Sequence, residues 1–237
     1  YKIALKNIEV YSTPLWKAVL QSKLKLRNIS YYFKNKSINP KIMVHILDLN
    51  FLGLEQSVAA FLVETKEGIV LIETGPYSVH QELKKAVEKK GFKLSDIKHV
   101  FLTHIHLDHA GGAWALAQQG AKIYVHPFGA KHLASPEKLM NSARRIYKDD
   151  MDRLWGDMNA IPTEQLREVQ NEEKISIGGV VFKAWHTPGH DRGHLCFRES
   201  RYGAWIGGDL ASTVSTIMID PPEGHMRTYL DSVARIQ

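Results

Sequence analysis

The residues Thr103-His104-Ile105-His106-Leu107-Asp108-His109-Ala110-Gly111-Gly112 place three imidazoles and one carboxylate within six positions, directly after an apolar run. Imidazole nitrogen and carboxylate oxygen are donors that suit zinc, iron or manganese, and a mixed set favours a catalytic site over a closed structural one. His104 and His106, two residues apart, can point to the same side of a loop. Asp108 and His109 come from the turn that follows and can reach a second, adjacent position.

Several elements must position these groups. A strand over about 98–103 leads into the motif, and a helix over 110–119 with small residues at its start follows it. Two further segments supply what the motif lacks. A strand over 179–185 runs into a turn at Pro188-Gly189, which would fix His190 on a rigid loop as a third imidazole for the first metal. The short apolar stretch Ala204-Trp205-Ile206 runs into Gly207-Gly208, where the absent side chains let the backbone approach closely so that Asp209 extends into the site. One carboxylate there could bridge two cations.

The order His104-x-His106-x-Asp108-His109, then His190 after Thr187-Pro188-Gly189, then Asp209 after Gly207-Gly208, resembles the metallo-β-lactamase superfamily. The likeness is to the hydrolase branch that includes glyoxalase II and related thioesterases and lactonases, and it covers about 43–237. The resemblance implies an α/β protein, a four-layer αβ/βα sandwich with two mixed β-sheets back to back, helices outside and the metals at the sheet edge. It also implies His104, His106 and His190 around metal one, Asp108 and His109 around metal two, and Asp209 between them. Upstream, 57–64 and 68–73 read as successive strands joined by a hairpin-like turn at Thr65-Lys66-Glu67-Gly68. Glu73-Thr74-Gly75 resembles the family's acidic-Thr-Gly element, where relatives commonly carry Asp. Glu73 is expected to hydrogen-bond to the ligand-bearing loop and so to orient its histidines.

Relatives in this branch close the second metal position with a further histidine, after the helix that follows the bridging Asp. That helix is expected over 226–237, with Tyr229, Leu230, Val233 and Ile236 at helical spacing. The chain is therefore read as truncated at its C-terminus, and the last ligand of metal two is expected beyond Gln237. His225 precedes the helix and is expected to be a loop residue, not a substitute ligand.

The chain has 237 residues, 44% of them apolar, enough for one large domain with a substantial core. Its charge is uneven. Residues 1–42 carry nine cationic residues against the lone Glu9, or +8; the whole chain is +6, so the remainder is −2. Residues 1–42 are accordingly read as a basic N-terminal extension, whether a solvated arm, a contact for acidic surfaces or a targeting segment, and 43–237 as the catalytic domain. Because the catalytic body is not basic, no nucleic-acid partner is expected. No apolar run approaches the roughly 20 residues that span a bilayer, and the start offers no signal-peptide core. The single cysteine, Cys196, cannot form an internal disulfide and reads as a small buried residue, so a reducing cytoplasm is the expected compartment.

Between the first motif and His190, the stretch 136–155 carries Leu139, Met140, Ala143, Ile146, Tyr147, Met151, Leu154 and Trp155 at helical spacing. This insertion is expected over the metal mouth, as core packing, as substrate lining or as the contact of a homodimer. Arg144 and Arg145 could meet an anionic substrate or lie on a solvated face.

Two divalent cations, expected to be Zn2+ with iron or manganese as alternatives, would share a water and lower its pKa toward neutrality. The expected activity is hydrolysis of a small acyl substrate, a thioester, ester or lactone, by the bridging hydroxide, with Asp108 orienting it and accepting its proton. Three other activities stay open: a mononuclear iron dioxygenase acting on persulfides through the first site alone, a phosphoesterase or nuclease of the same fold, and a metal-bound scaffold without catalysis.

Overall fold

Along β3 (Gly68–Ile72), Ile69 and Leu71 enter one apolar cluster while Val70 and Ile72 enter another, the two-residue period of a strand buried on both faces. The computed structural model describes residues 44–212 and 216–236. The expected extension over 1–42, and its boundary at residue 43, lie outside the described residues.

The first sheet runs in the order β1 (Val44–Asp48), β2 (Ala59–Thr65), β3, β4 (Ile97–Phe101), β5 (Lys122–Val125) and β6 (Leu166–Glu168). Its β1–β2 and β2–β3 pairs are antiparallel and the pairs from β3 to β6 are parallel. Parallel neighbours need crossover connections, and helices supply them. These are α1 (His80–Glu88) after β3, then α2 (Leu107–Ala110) and α3 (Ala113–Ala117) after β4. After β5 come α4 (Pro127–Ala134), α5 (Glu137–Tyr147) and α6 (Met151–Leu154).

The second sheet runs β10 (Trp205–Ile206), β9 (Leu195–Glu199), β8 (Val180–His186) and β7 (Lys174–Ile177). Among the described residues its pairings are all antiparallel, so there only the first sheet is mixed, where the resemblance implied two mixed sheets. The physical reason is the short connections, such as Gly178-Gly179 between β7 and β8, which leave no room for a crossover.

Val63, Val70, Ile72, Phe101 and Tyr124 meet Phe182, Ala184, Leu195 and Phe197 between the sheets. Phe101 is central, its ring 4.4 Å from Tyr124, 5.0 Å from Phe182 and 5.2 Å from Phe197. Burying such a side chain contributes about 1.5–3 kcal/mol. The other face of the first sheet packs Leu62, Leu71, Val100 and Ile123 with Leu83 and Val87 of α1, Leu116 of α3 and Leu133 of α4. A last helix, α7 (Met226–Ile236), lies against the loop that follows β8, Ser232 Oγ donating to Pro188 O at 2.7 Å. Two sheets flanked by helices thus form the expected layered sandwich.

The helix expected over 110–119 is displaced and split. It begins at Leu107, and Gly111-Gly112 separates α2 from α3 because glycine is a poor interior helix residue. The insertion is likewise split: α5 ends at Tyr147, before Lys148, whose φ of 46° cannot continue a right-handed helix. Among the described residues, no helix is long and apolar enough to cross a membrane.

Candidate metal centre

The chain leaves β4 at the edge of the sandwich and its main chain is held on three sides. Leu102 N–H donates to Tyr124 O at 2.9 Å, Leu195 N–H to Thr103 O at 2.7 Å, and Thr103 N–H to Glu73 Oε1 at 3.1 Å. Thr103 and His104 are buried while Ile105 anchors in the core. The next turn is α2, which carries Asp108 and His109. Thr74 clamps it: both its N–H (2.8 Å) and its hydroxyl (2.9 Å) donate to His109 O.

Three ring nitrogens converge. Nδ1 of His106 lies 3.1 Å from Nε2 of His104 and 2.9 Å from Nε2 of His190. Nδ1 of His190 lies 2.7 Å from the carbonyl of Met218, which can only accept; that nitrogen therefore carries the proton and Nε2 presents its lone pair. Lone pairs facing one another at such distances repel unless a proton or a cation stands between them. A tetrahedral zinc with bonds of about 2.0–2.1 Å would separate nitrogens by about 3.3 Å, close to the spacing seen.

A second group of donors adjoins the first. Nε2 of His109 lies 3.3 Å from Asp209 Oδ1 and 3.5 Å from Asp108 Oδ2. The other oxygen of Asp209, Oδ2, lies 3.3 Å from Nε2 of His190. Two sets of donors are mutually close enough to hold an ion: His104, His106 and His190, and His104, His109 and Asp209. Asp108 joins the second set through His109 and stands nearer the solvent, its side chain 39% exposed. The expected six residues are therefore brought together, from one motif and two distant segments.

The electrostatics suit a cation. Burial, with the neighbouring histidines, holds the pKa of His104 well below the ordinary imidazole value, and burial lowers that of His106. Burial would also lower His109, but the carboxylates of Asp108 and Glu73 outweigh it and hold its pKa well above ordinary. For Asp209, burial would raise the pKa; the hydrogen bond and charge of His109 overcome this and bring it down to about 2. Asp209 therefore stays ionised and His104 and His106 stay neutral, the forms that bind metal.

Glu73 sits behind these donors. It is buried, its Oε2 lies 3.5 Å from His109 Nδ1, and its backbone has φ of 65°. His225 is in neither donor set, although its backbone N–H donates to Gly189 O at 2.7 Å; its Nδ1 accepts from Thr228 N–H at 3.3 Å at the start of α7. Arg144, half exposed, has its guanidinium 3.9 Å from Asp152 and 3.8 Å from Asp157. The aromatic end of the insertion does approach the site: Trp155 packs 5.1 Å from Tyr147 and 5.7 Å from Phe51, and the hydroxyl pKa of Tyr147 is raised by burial and then by the Asp108 charge. One residue escaped the sequence analysis. His194, fully buried, has its ring 5.1 Å from that of His104, and burial with its histidine neighbours lowers its pKa to about 3. Its place four residues after His190 was the only signal available.

The Metallo-beta-lactamase superfamily matches residues 53–236 of the chain. The metallo-β-lactamase fold-containing protein ST1585 of Sulfurisphaera tokodaii is 28% identical over 153 residues, 60% of this chain and 56% of that protein. The probable metallo-hydrolase YqjP of Bacillus subtilis is 25% identical over 191 residues, 72% of this chain and 59% of its own length. The chain thus spans less than two thirds of either relative. Among solved structures, the archaeal superfamily protein ST1585 from Sulfolobus tokodaii superposes with a TM-score of 0.64 at 22% identity, covering 83% of this chain and 76% of that one. The family protein TTHA1429 from Thermus thermophilus also gives a TM-score of 0.64, at 19% identity, covering 84% and 70%. Donors gathered at the edge of a two-sheet sandwich and a family match over most of the sequence agree: this chain belongs to the metallo-β-lactamase superfamily.

Proposed function

We propose that the chain is a zinc-dependent hydrolase that cleaves a small thioester, ester or lactone, in the manner of the glyoxalase II and lactonase branch. His104, His106 and His190 would hold one cation, Asp108 and His109 a second, and Asp209 would be shared. One observation carries this reading: the two oxygens of Asp209 face one histidine from each set, Oδ1 toward His109 and Oδ2 toward His190, each at 3.3 Å.

Bound there, a pair of cations supplies a water acidified toward neutrality and a Lewis-acid contact for a carbonyl oxygen. The chain's own residues do the rest. Asp108, the most exposed acid of the site, orients the attacking water and takes its proton. Asp209, held ionised, keeps negative charge between the donor sets. Tyr147, Trp155 and Phe51 offer an apolar wall to the acyl group. Cys196 is no nucleophile: burial pushes its thiol pKa up to about 12. A reducing cytoplasm is the proposed compartment for this thiol, and 1–42 is proposed as an extension separate from the catalytic domain.

The test is elemental analysis of protein purified without chelator or added metal, joined to a panel of thioesters, lactones and esters. Zinc at two equivalents with turnover of at least one acyl substrate supports the hydrolase. One equivalent of iron with oxygen consumption on persulfides replaces it with the dioxygenase, and absence of metal overturns both.

A further inference from the structure

We propose that His194 is a positioning residue for the metal centre: its neutral imidazole, protonated on Nδ1, holds the main chain of Asp209 so that the carboxylate faces both His109 and His190. This role rests on the ligand assignment above, but the anchor itself stands on geometry alone.

Asp209 N–H can only donate, and it lies 3.1 Å from Nε2 of His194. Nε2 is therefore the acceptor, and the one proton of the neutral ring sits on Nδ1. Nδ1 lies 2.8 Å from Thr187 Oγ1, which accepts it. The hydroxyl's own hydrogen has Cys196 Sγ at 3.4 Å or His194 O at 3.5 Å to meet. Each donor thus has an acceptor along a chain of groups from Asp209 through His194 to Thr187.

The mount is stiff. His194 O accepts from Thr187 N–H at 2.8 Å and its N–H donates to Asp191 O at 3.4 Å, within the loop that also carries His190. The turn bearing Asp209 is pressed against the ring: at Gly208, with φ of +48°, a Cβ would stand 2.8 Å from His194 Nε2 and 2.4 Å from Thr103 Oγ1. Only glycine permits that approach. Without the imidazole, the Asp209 N–H would lose its acceptor and the turn its support, which frees the carboxylate to swing.

Two measurements on the full chain test this. In the metal-free protein, long-range 1H–15N NMR should show His194 protonated on Nδ1 with a pyridine-type Nε2; a proton on Nε2 overturns the proposal. Zinc affinity, read by competition with a chromophoric chelator, should then separate two substitutions. His194→Gln can place an amide oxygen where Nε2 was and should stay close to wild type. His194→Asn reaches only toward Thr187 and should bind the Asp209-side zinc about 10–100-fold more weakly. Equal affinities for the two variants overturn the role. If neither variant folds by circular dichroism, Thr187→Val decides, since it removes the acceptor for Nδ1–H: weaker zinc binding supports the anchor and unchanged binding overturns it. A wild-type chain that shows the Nδ1–H ring but binds no zinc overturns the ligand assignment and the positioning role with it, whereas normal zinc binding in every variant overturns the role alone.

Discussion

Glu73 Oε2 lies 3.5 Å from Nδ1 of His109 in the protein interior, and its charge helps to hold the pKa of that imidazole well above the ordinary value. In the proposed site, where His109 holds a cation, a carboxylate behind the imidazole would orient the ring and raise the basicity of its far nitrogen, the Nε2 that faces Asp209. The other oxygen of Glu73 accepts from Thr103 N–H, so one side chain braces both ends of the ligand loop. Its backbone is left-handed, at φ 65°, a conformation that costs an L-residue about 1–2 kcal/mol. The hydrogen bond and the buried ion contact offset that strain.

Glu73→Gln keeps the shape and removes the charge, so zinc affinity on the His109 side should fall about 10–100-fold with little change in melting temperature. Glu73→Ala should in addition leave Thr103 N–H unpaired and cost about 1–3 kcal/mol in denaturant unfolding. Unchanged zinc affinity in both variants would remove Glu73 from the centre.

Asp209→Ala should lower kcat/KM for the best acyl substrate by on the order of 10³-fold, because a preorganised charge at the reacting centre is lost. Its backbone N–H still reaches His194, so circular dichroism should remain that of the wild type. Near-normal turnover would sink the shared-ligand assignment.

His225→Ala should leave metal content and turnover as they are. The side chain serves the first turn of α7, so its loss should cost about 1 kcal/mol of stability, visible as a lowered melting temperature. A variant that lost one metal equivalent would show that His225 is a ligand after all.

Cys196 should be inert in the folded chain. Burial raises its thiol pKa to about 12, so the neutral thiol is the folded-state form and the thiolate grows only as pH climbs toward that value. At pH 8 the thiolate fraction is about one part in ten thousand. Ellman's reagent at pH 8 should find no thiol in native protein and one per chain in denaturant; rapid labelling of the native state would contradict the burial.

His104, His106, Asp108 and His109 were legible from sequence because a strand, a sharp turn and a helix start put chemically suited side chains close together through local geometry alone. His190 and Asp209 were legible for a related reason, each standing beside glycine that lets a loop enter a crowded edge. The family resemblance supplied the sandwich, and it implied the proposed sharing of Asp209, which spacing by itself left open.

What tertiary structure alone decided are relationships between segments far apart in the chain. His194 looks like any loop histidine until the second sheet brings it beneath Asp209, fifteen residues on. Arg144 gains its acidic neighbours Asp152 and Asp157 only because the turn at Lys148 folds the chain back beside it. Glu73 was expected to bond to the loop, but its second contact, with His109, exists only because β3 and β4 run parallel and end side by side. Local pattern determines which side chains can do chemistry; the packing of the two sheets determines the partners behind them, since hydrogen bonds and buried charges depend on distances that no sequence spacing encodes.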